Sequence, residues 1–165
     1  MPGRPPDSFH FETKTMPQIQ IYSETLRVST ERGPDIVNIT PLLDDILFRL
    51  NFETGLMGLF VPGSTASLTT IEYEPGAVED LKRVINRLAE PGAVYEHEKA
   101  WHDGNGHSHV QAALLGPSLS VPVRRGKLLI GSWQQIVLIN HDVRARERRV
   151  EATLIGNKSP AGENR

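Results

Sequence analysis

Strand-like patterns fill most of this chain and constrain its fold more than any other feature. Alternating apolar and polar residues, or short β-branched runs, predict strands in QIQIYSETLRVST, DIVNI, GLMGLFVP, SLTTIEYE, HVQAALLG, SVPV, KLLIGSWQQIVLIN and ARERRVEATLIG. The last of these are joined by predicted turns at Arg125-Gly126 and near His141-Asp142. Strands linked by such turns pair antiparallel, so a mainly antiparallel sheet structure is expected.

Two stretches carry helical periodicity instead. In the first, a threonine stands before Pro41, as at an N-cap followed by proline, and the apolar stripe after it predicts a helix at about 41–51. The second stripe begins at Pro75 and ends at the Pro91-Gly92 stop. Two principal helices among seven or eight strands define an α+β fold of packed, mainly antiparallel, sandwich-like sheets.

Length and composition favour one soluble domain. The 165 residues, 38% of them apolar and 23% charged, suit a single core, predicted at 17–156 between flexible segments at 1–16 and 157–165. The net charge of −2 gives no basic field for nucleic acid. No signal peptide and no apolar run of about 20 residues is present, so we expect no membrane partner and a cytoplasmic location.

The stretch WHDGNGHSHV, at 101–110, is the first candidate site. On an extended backbone His107 and His109 would point the same way, and His97 could supply a third imidazole for a divalent metal. Because the chain has no cysteine, any metal depends on His, Asp, Glu or Asn ligands. The alternative is a polar surface loop with a turn at Asn105-Gly106, and the spacing leaves both interpretations open.

A second candidate lies in FVPGSTASLTTIEYE. Ser64 and Thr65 follow a flexible glycine, and small hydroxyls with exposed backbone amides can hold phosphate oxygens. Glu72 is placed where it could act as a base or a metal ligand. A threonine-rich strand needs no ligand, however, so a purely structural role is the alternative.

Arginine and glutamine supply the remaining candidates. Arg144, Arg146 and Arg148 repeat every second residue and could clamp a phosphate, although such a row more often faces solvent. Gln134 lies in an apolar run and needs a partner, either backbone or ligand.

Three segments together resemble a known family. GSTASLTTIEYEPGAVEDL, YEHEKAWHDGNGHSHVQAALLGPSLSVPV and GKLLIGSWQQIVLINHDVRARERRV are similar, in this order, to the YjbQ-like family over about residues 20–156. The resemblance implies an α+β fold of antiparallel sheets, a homotrimer, and a polar site close to subunit contacts. Positions that match the family's motifs are Glu72, Tyr95, His97, Gly104, Asn105, His109, Gly131, Trp133 and Gln134.

The chain departs from the family at one point. Many members have a histidine where this chain has Gly63, so one imidazole is missing. His102 and His107 are typical of a branch with the WHDGNGHSHV form, and we expect that they replace it.

The resemblance implies a secondary thiamine-phosphate synthase activity, which joins a hydroxymethylpyrimidine diphosphate to a thiazole phosphate and releases pyrophosphate. The expected catalytic residues are Glu72, Asn105 and His109; the expected substrate-binding residues are Ser64, Thr65, Trp133, Gln134, Arg144 and Arg146; the expected metal ligands are His97, His107 and His109. Diphosphate chemistry usually uses magnesium, whereas imidazoles favour zinc, so either the histidines contact phosphate directly or the ion is not magnesium. The alternatives are a metal-dependent hydrolase of a small phosphorylated or amide metabolite, and a non-catalytic trimer that binds a metal or small ligand.

Overall fold

The computed structural model describes residues 19–159, so the predicted flexible segment 1–16 and most of the predicted tail lie outside the described residues. Eight strands and four helices follow one another along the described part: β1 Gln20–Thr30, β2 Asp35–Asn38, α1 Thr40–Leu50, β3 Phe52–Phe60, β4 Ala66–Glu72, α2 Pro75–Leu88, α3 Glu98–Trp101, α4 Gly106–Leu115, β5 Ser118–Arg124, β6 Lys127–Leu128, β7 Gln134–Asn140 and β8 Arg146–Lys158. β8 continues two residues past the predicted domain end at 156. None of the helices in 19–159 has the length and apolar character to cross a membrane.

The strands form two antiparallel sheets. The larger has the order β1-β8-β3-β5-β6, and the smaller has the order β2-β7-β4. Every strand pair within them is antiparallel. The α+β class with packed antiparallel sheets in one domain is therefore confirmed.

The smaller sheet is the central layer. From β7, Ile136 and Leu138 join the main core with the larger sheet and α1, whereas Val137 and Ile139 pack towards α2. Because both faces are covered, β7 has a continuous apolar run instead of an alternating one. The ends of β4 and β7 are then the places where polar side chains of this layer reach the surface.

The two predicted helices are present with small differences. α1 begins at Thr40, one residue early, and the hydroxyl of Thr40 does not cap it. That oxygen accepts a hydrogen bond of 2.8 Å from the backbone nitrogen of Ile136, which ties α1 to β7. α2 begins at Pro75 as predicted, and the Glu74 carboxylate caps it by accepting from Gly76 at 2.8 Å and from Ala77.

The strand predicted for HVQAALLG is wrong, because residues 106–115 form α4. Its buried face consists of Ser108, Gln111 and Ala112, which recur at helical spacing but form no apolar stripe. The chain leaves the helix through Gly116, whose φ of 86° is favourable only for glycine. Because this segment is helical and not extended, His107 and His109 do not point the same way, as the strand prediction had implied.

The single strand predicted for KLLIGSWQQIVLIN is also wrong. The segment crosses from the larger sheet, where β6 lies, to the central sheet, where β7 lies. A turn at Gly131–Gln134 makes this crossing, and in it the backbone nitrogen of Gln134 donates to the carbonyl of Gly131 at 2.9 Å. The turn exposes Trp133 at one end of the central sheet.

Candidate functional site

The histidine loop between α3 and α4 is closed by Glu98. The Glu98 carboxylate accepts hydrogen bonds from the backbone nitrogens of Gly104 at 2.8 Å and Gly106 at 2.9 Å. These two bonds are the main reason that the pKa of Glu98 lies below its ordinary value. A Cβ at Gly106 would lie 2.5 Å from the Cβ of Tyr95, so this close approach requires glycine. Local contacts thus set the start of α4 and the positions of its histidines.

His97 and His109 form a close pair of imidazoles. Their ring centroids lie 4.4 Å apart, and Trp101 stacks on the other side of His97 at 6.3 Å. The Nε2 atom of His97 is buried and makes no hydrogen bond, although it lies 3.4 Å from an oxygen of Asp103. Buried polar atoms are nearly always bonded, so this nitrogen marks a position where a ligand atom would be stabilised.

His107 does not join this pair. Two residues along an α-helix rotate a side chain by about 200°, so His107 and His109 leave α4 on different faces. The His107 side chain is 7% exposed, its ring lies 6.4 Å from that of Tyr95, and its Nε2 is 3.4 Å from the hydroxyl of Ser108. Burial lowers the pKa of His107, and the charge of Arg32 lowers it further. The structure places His107 towards the protein interior.

The predicted metal ligands therefore do not converge within one chain. Across residues 19–159, no group of three or more His, Asp or Glu side chains is arranged to hold a metal ion. His102 is exposed, and neither it nor His107 lines the cavity beside Gly63, so they do not replace the missing imidazole. A divalent cation would need a ligand from outside residues 19–159, and it stays a prediction.

An open cavity of about 220 Å³ lies beside His109. The residues that line it are Gly63, Ser64, Ala66, His109, Ala112, Ala113 and Pro117. Ser64 is exposed there, and within the described residues its hydroxyl has no hydrogen-bond partner. Gly63 has a φ of 147°, and a Cβ at this position would lie 3.3 Å from the Nη1 atom of Arg148. Glycine at this position thus avoids a close contact with the buried guanidinium.

Behind the cavity, Arg148 is the centre of a buried polar network. Its Nη2 donates to the hydroxyl of Thr65 at 2.7 Å and to the Thr65 carbonyl at 3.1 Å, and its Nε donates to Asn140 at 3.0 Å. The Thr65 hydroxyl donates in turn to Asp142 at 3.1 Å. Burial lowers the pKa of Arg148, and Asp142 opposes this effect. Thr65, predicted to bind substrate, uses its hydroxyl inside the protein instead.

The three arginines do not form a row. Arg148 is buried, whereas Arg146 is 44% exposed and its Nε donates to Asp142 at 3.0 Å. Burial alone would raise the pKa of Asp142, but the hydrogen bonds from Arg146 and Thr65 outweigh it and the pKa lies below its ordinary value. Arg144 precedes β8, and its side chain is exposed.

Asn105 has a supporting position in the same region. It is buried at the start of α4, and its side-chain oxygen accepts a hydrogen bond of 3.4 Å from the backbone nitrogen of Val143. This bond joins the histidine loop to the chain after β7. Asn105 therefore fixes the geometry of the site and does not face the cavity of His109.

A second buried network was missed by the sequence reasoning. His141 is fully buried, with Nε2 at 2.8 Å from the hydroxyl of Ser67 and Nδ1 at 3.1 Å from the side-chain oxygen of Gln111. The Gln111 amide nitrogen donates to the Ala89 carbonyl at 2.9 Å, which directs its oxygen to His141. Nδ1 of His141 thus carries the proton and Nε2 accepts from Ser67. Burial, with the charges of Arg148 and His107, lowers the pKa of His141 to about 4.

This Ser67–His141–Gln111 network is a brace and not a surface site, since all three side chains are buried. It connects β4, the end of β7 and α4. The residues are separated by at least 30 positions in the sequence, so no local motif signals the contact. The brace fixes α4 against the central sheet and so positions His109.

The remaining predicted site residues lie at the other end of β4. Glu72 pairs with Gln134 there, and the seven residues of β4 span about 20 Å. The Gln134 amide is used internally, since it donates to Thr70 at 2.7 Å and accepts from the Gly131 backbone nitrogen at 2.9 Å. Glu72 and Trp133 are exposed.

The candidates therefore form two separate groups. We name Gly63, Ser64, His97 and His109 the histidine end, and Glu72, Trp133 and Gln134 the tryptophan end.

Together, the fold and these two groups define a small α+β sandwich protein whose polar residues gather at opposite ends of a buried central sheet. Residues 24–157 match the family described as UPF0047 protein YjbQ-like, and the chain belongs to this family. The family predicted from the sequence motifs is thus confirmed.

Relatives and solved structures agree with this assignment. The UPF0047 protein YjbQ of Salmonella typhimurium is 38% identical over 137 residues, which cover 82% of this chain and 98% of that protein. A UPF0047 protein of Archaeoglobus fulgidus is 34% identical over 125 residues, which cover 76% of this chain and 94% of that protein. A crystal structure of a YbjQ-like protein of unknown function from Sulfolobus solfataricus has a TM-score of 0.80 at 33% identity and covers 85% of this chain and 100% of that one.

Proposed function

We propose that this protein is a transferase of the thiamine-phosphate synthase type. In this reaction the methylene carbon of a pyrimidinylmethyl diphosphate forms a bond to the thiazole nitrogen, and its bond to the diphosphate oxygen breaks. Pyrophosphate leaves with the electron pair of that bond. The observation that supports the proposal is the open cavity lined by His109 and Ser64, in which the Ser64 hydroxyl has no partner among the described residues and the His97 ring lies 4.4 Å behind that of His109.

The histidine end is suited to an anionic leaving group. His109 and Ser64 line the cavity, and the buried guanidinium of Arg148 lies behind Gly63. Donors and a cation that are fixed before the reaction stabilise charge as it develops on a leaving group, because they need not reorganise. In our proposal the diphosphate contacts His109 and Ser64 directly, and His97 packs against His109. The assignment is made on these side chains alone, because residues 19–159 contain no complete set of metal ligands.

Arg146 has a supporting role in the proposal. Its guanidinium is half exposed and ion-paired with Asp142, within the same polar region as Thr65. A second cation near the cavity lowers the electrostatic cost of holding a diphosphate there. Arg144 is exposed beside it and would add to the same field.

Glu72 and Trp133 cannot contact the same diphosphate within one chain, because β4 separates them from His109 by about 20 Å. The homotrimer that the resemblance implies would bring them to the reaction only if a neighbouring subunit places its tryptophan end against the histidine end. We therefore assign the diphosphate chemistry to the histidine end alone.

The reaction is tested by pyrophosphate release from the purified full-length protein with both thiamine precursors. We expect turnover in the wild type and a loss of about 100-fold in His109→Ala, the magnitude typical for removal of one charge-stabilising donor. His102→Ala is the matched control, since His102 is exposed in the same loop and does not line the cavity. Absence of turnover above background at high protein concentration would refute the proposal.

Metal-assisted hydrolysis is a second candidate, supported by the close pair of imidazoles His97 and His109. Metal analysis of protein prepared without a histidine tag separates the two. Stoichiometric zinc together with no binding of diphosphate would favour the hydrolase. Saturable ligand binding with no product in either assay would indicate a non-catalytic binding protein.

A further inference from the structure

The histidine loop contains the one asparagine of the sequence that glycine follows, Asn105-Gly106. In such a pair the backbone nitrogen of the glycine can attack the side-chain carbonyl carbon of the asparagine. The new carbon–nitrogen bond closes a succinimide ring, and the side-chain nitrogen leaves as ammonia with the proton of the glycine N–H. Water then opens the ring to aspartate or isoaspartate. Because glycine has no side chain to crowd the ring, this pair is a candidate for spontaneous modification.

The backbone of the folded loop opposes this attack. Asn105 has a φ of −104° and a ψ of 4°. At this ψ the backbone nitrogen of Asn105 eclipses that of Gly106. Ring closure needs the Cβ atom of Asn105 in the eclipsed position, because the side chain must reach the Gly106 nitrogen. The chain must therefore rotate about the Cα–C bond of Asn105 before the reaction can occur.

The attacking nitrogen is also held by a carboxylate. The Gly106 N–H donates to Oε1 of Glu98 at 2.9 Å, and the Gly104 N–H donates to Oε2 of the same side chain at 2.8 Å. Hydrogen bonds to an ionised acceptor are roughly twice as strong as those between neutral groups. Rotation at Asn105 turns the Gly106 N–H away from Glu98, so the bond must break first. We call Glu98 with these two bonds the Glu98 clamp.

The asparagine side chain is fixed from the other side. It is 6% exposed, its oxygen accepts a hydrogen bond of 3.4 Å from the backbone nitrogen of Val143, and it also hydrogen-bonds to the buried carboxylate of Asp142. Aspartate at position 105 would place a second carboxylate against Asp142, and two carboxylates in one buried site repel each other. Isoaspartate would lengthen the backbone by one carbon, so the two glycine nitrogens would no longer be spaced to fit the clamp.

We propose that Asn105 is a deamidation site that the Glu98 clamp keeps closed, so that the reaction proceeds only from molecules in which the histidine loop has opened. Local opening of a loop requires less free energy than global unfolding, and here it would set the rate. After the reaction, the contact with Asp142 is repulsive and the loop does not return to its original form. The inference goes beyond the proposed transferase reaction, because it requires no substrate.

Peptide mass spectrometry measures the reaction in the full-length protein. Trypsin cleavage after Lys99 and Arg124 gives a peptide of residues 100–124, in which Asn105 is the only asparagine. The protein is incubated in mildly alkaline buffer, either folded or in guanidinium chloride, and the conversion of amide to acid is followed over time. We expect Asn105 to react at least tenfold more slowly in the folded protein. Equal rates, or no reaction at Asn105 in the denatured protein, would overturn the proposal.

Glu98→Gln tests the clamp. An uncharged amide holds the two backbone nitrogens more weakly, so Asn105 should react at least fivefold faster in this variant than in the wild type. Glu96→Gln is the matched control, because Glu96 is exposed nearby and pairs with Lys99 at 2.7 Å, and it should leave the rate unchanged. Equal rates in the two variants would overturn the role of Glu98.

Hydrogen exchange tests the clamp without a variant. The amide hydrogen of Gly106 in the wild type should exchange at least tenfold more slowly than in an unfolded peptide, and unprotected exchange would contradict the clamp. Asn105→Asp reproduces the product, and it should unfold at a lower temperature and exchange faster at Gly106. An unchanged midpoint and unchanged exchange would show that the loop tolerates the product. Each measurement is made without substrate, so its result is distinct from that of the pyrophosphate-release assay.

Discussion

The two ends of the central sheet hold their polar residues in different ways. Behind the histidine end, Arg148, Thr65 and Asp142 are buried and bonded to one another, and His141 braces the helix that carries His109. At the tryptophan end, Glu72 and Trp133 are exposed. The histidine end is therefore held in place by buried contacts, whereas the side chains of Glu72 and Trp133 at the tryptophan end are open to solvent.

This difference agrees with the reaction proposed for the histidine end. A group that stabilises charge in a reaction works best when packing already holds it, because no reorganisation is then needed. The same contrast predicts that substitutions behind the histidine end reduce stability far more than substitutions at the tryptophan end.

The largest effect is expected for His141→Ala. The change leaves Ser67 and Gln111 without their partner in the interior and creates a cavity, so we expect a loss of about 3–5 kcal/mol in the free energy of unfolding. Trp133→Ala is the comparison at the other end and should change it by less than about 0.5 kcal/mol. Urea unfolding measures both, and equal losses would show that the two ends do not differ in rigidity.

The pH dependence of stability tests the same brace. The pKa of His141 is about 4 in the folded protein and about 6.5 in the unfolded chain, so between these values only the unfolded chain takes up the proton. Stability should therefore fall as the pH is lowered from 6.5 to 4, by about 3 kcal/mol from this group. His141→Gln removes the titration, and its unfolding free energy should decrease less over this range. Parallel curves for the two proteins would contradict the assignment.

A smaller effect is expected for Gln134→Ala. The amide of Gln134 joins the Gly131 turn to Thr70, and loss of both hydrogen bonds from a half-buried position should cost about 1–2 kcal/mol. Gln135→Ala is the matched control, since the only hydrogen bond of its side chain within residues 19–159 is long, at 3.4 Å, and it should be nearly neutral for stability. Thermal unfolding compares them. If Gln134→Ala does not change the stability, the role of this glutamine is to contact a ligand and not to hold the turn.

The sequence predicted the two helices with apolar stripes and missed the other two, the single-turn α3 and the longer α4. α1 and α2 show their buried faces as leucine, isoleucine and valine, so their positions followed from spacing. α4 buries serine, glutamine and alanine. Its buried face has no apolar pattern, so the sequence alone does not identify it as a helix. The glycine-proline pair at 116–117 is a helix-stop signal that could have indicated it.

The sequence identified which polar residues matter better than it identified the groups that they contact. His97 and His109 were placed in one site, and the structure brings them together. Thr65 and Gln134 were assigned to substrate, but the structure uses both for internal hydrogen bonds. Whether a hydroxyl or amide faces a ligand or the protein depends on contacts between distant strands, which no local pattern contains. The Ser67–His141–Gln111 brace was missed for the same reason.

Binding of inorganic pyrophosphate tests most directly whether the histidine end holds the diphosphate. The affinity of the full-length protein for pyrophosphate is measured by isothermal titration in the wild type, in His109→Ala and in Lys127→Gln. We expect saturable binding of pyrophosphate that is lost in His109→Ala and retained in Lys127→Gln, since Lys127 lies in β6 and does not line the cavity of His109. Binding that survives in His109→Ala but is lost in Lys127→Gln would contradict it.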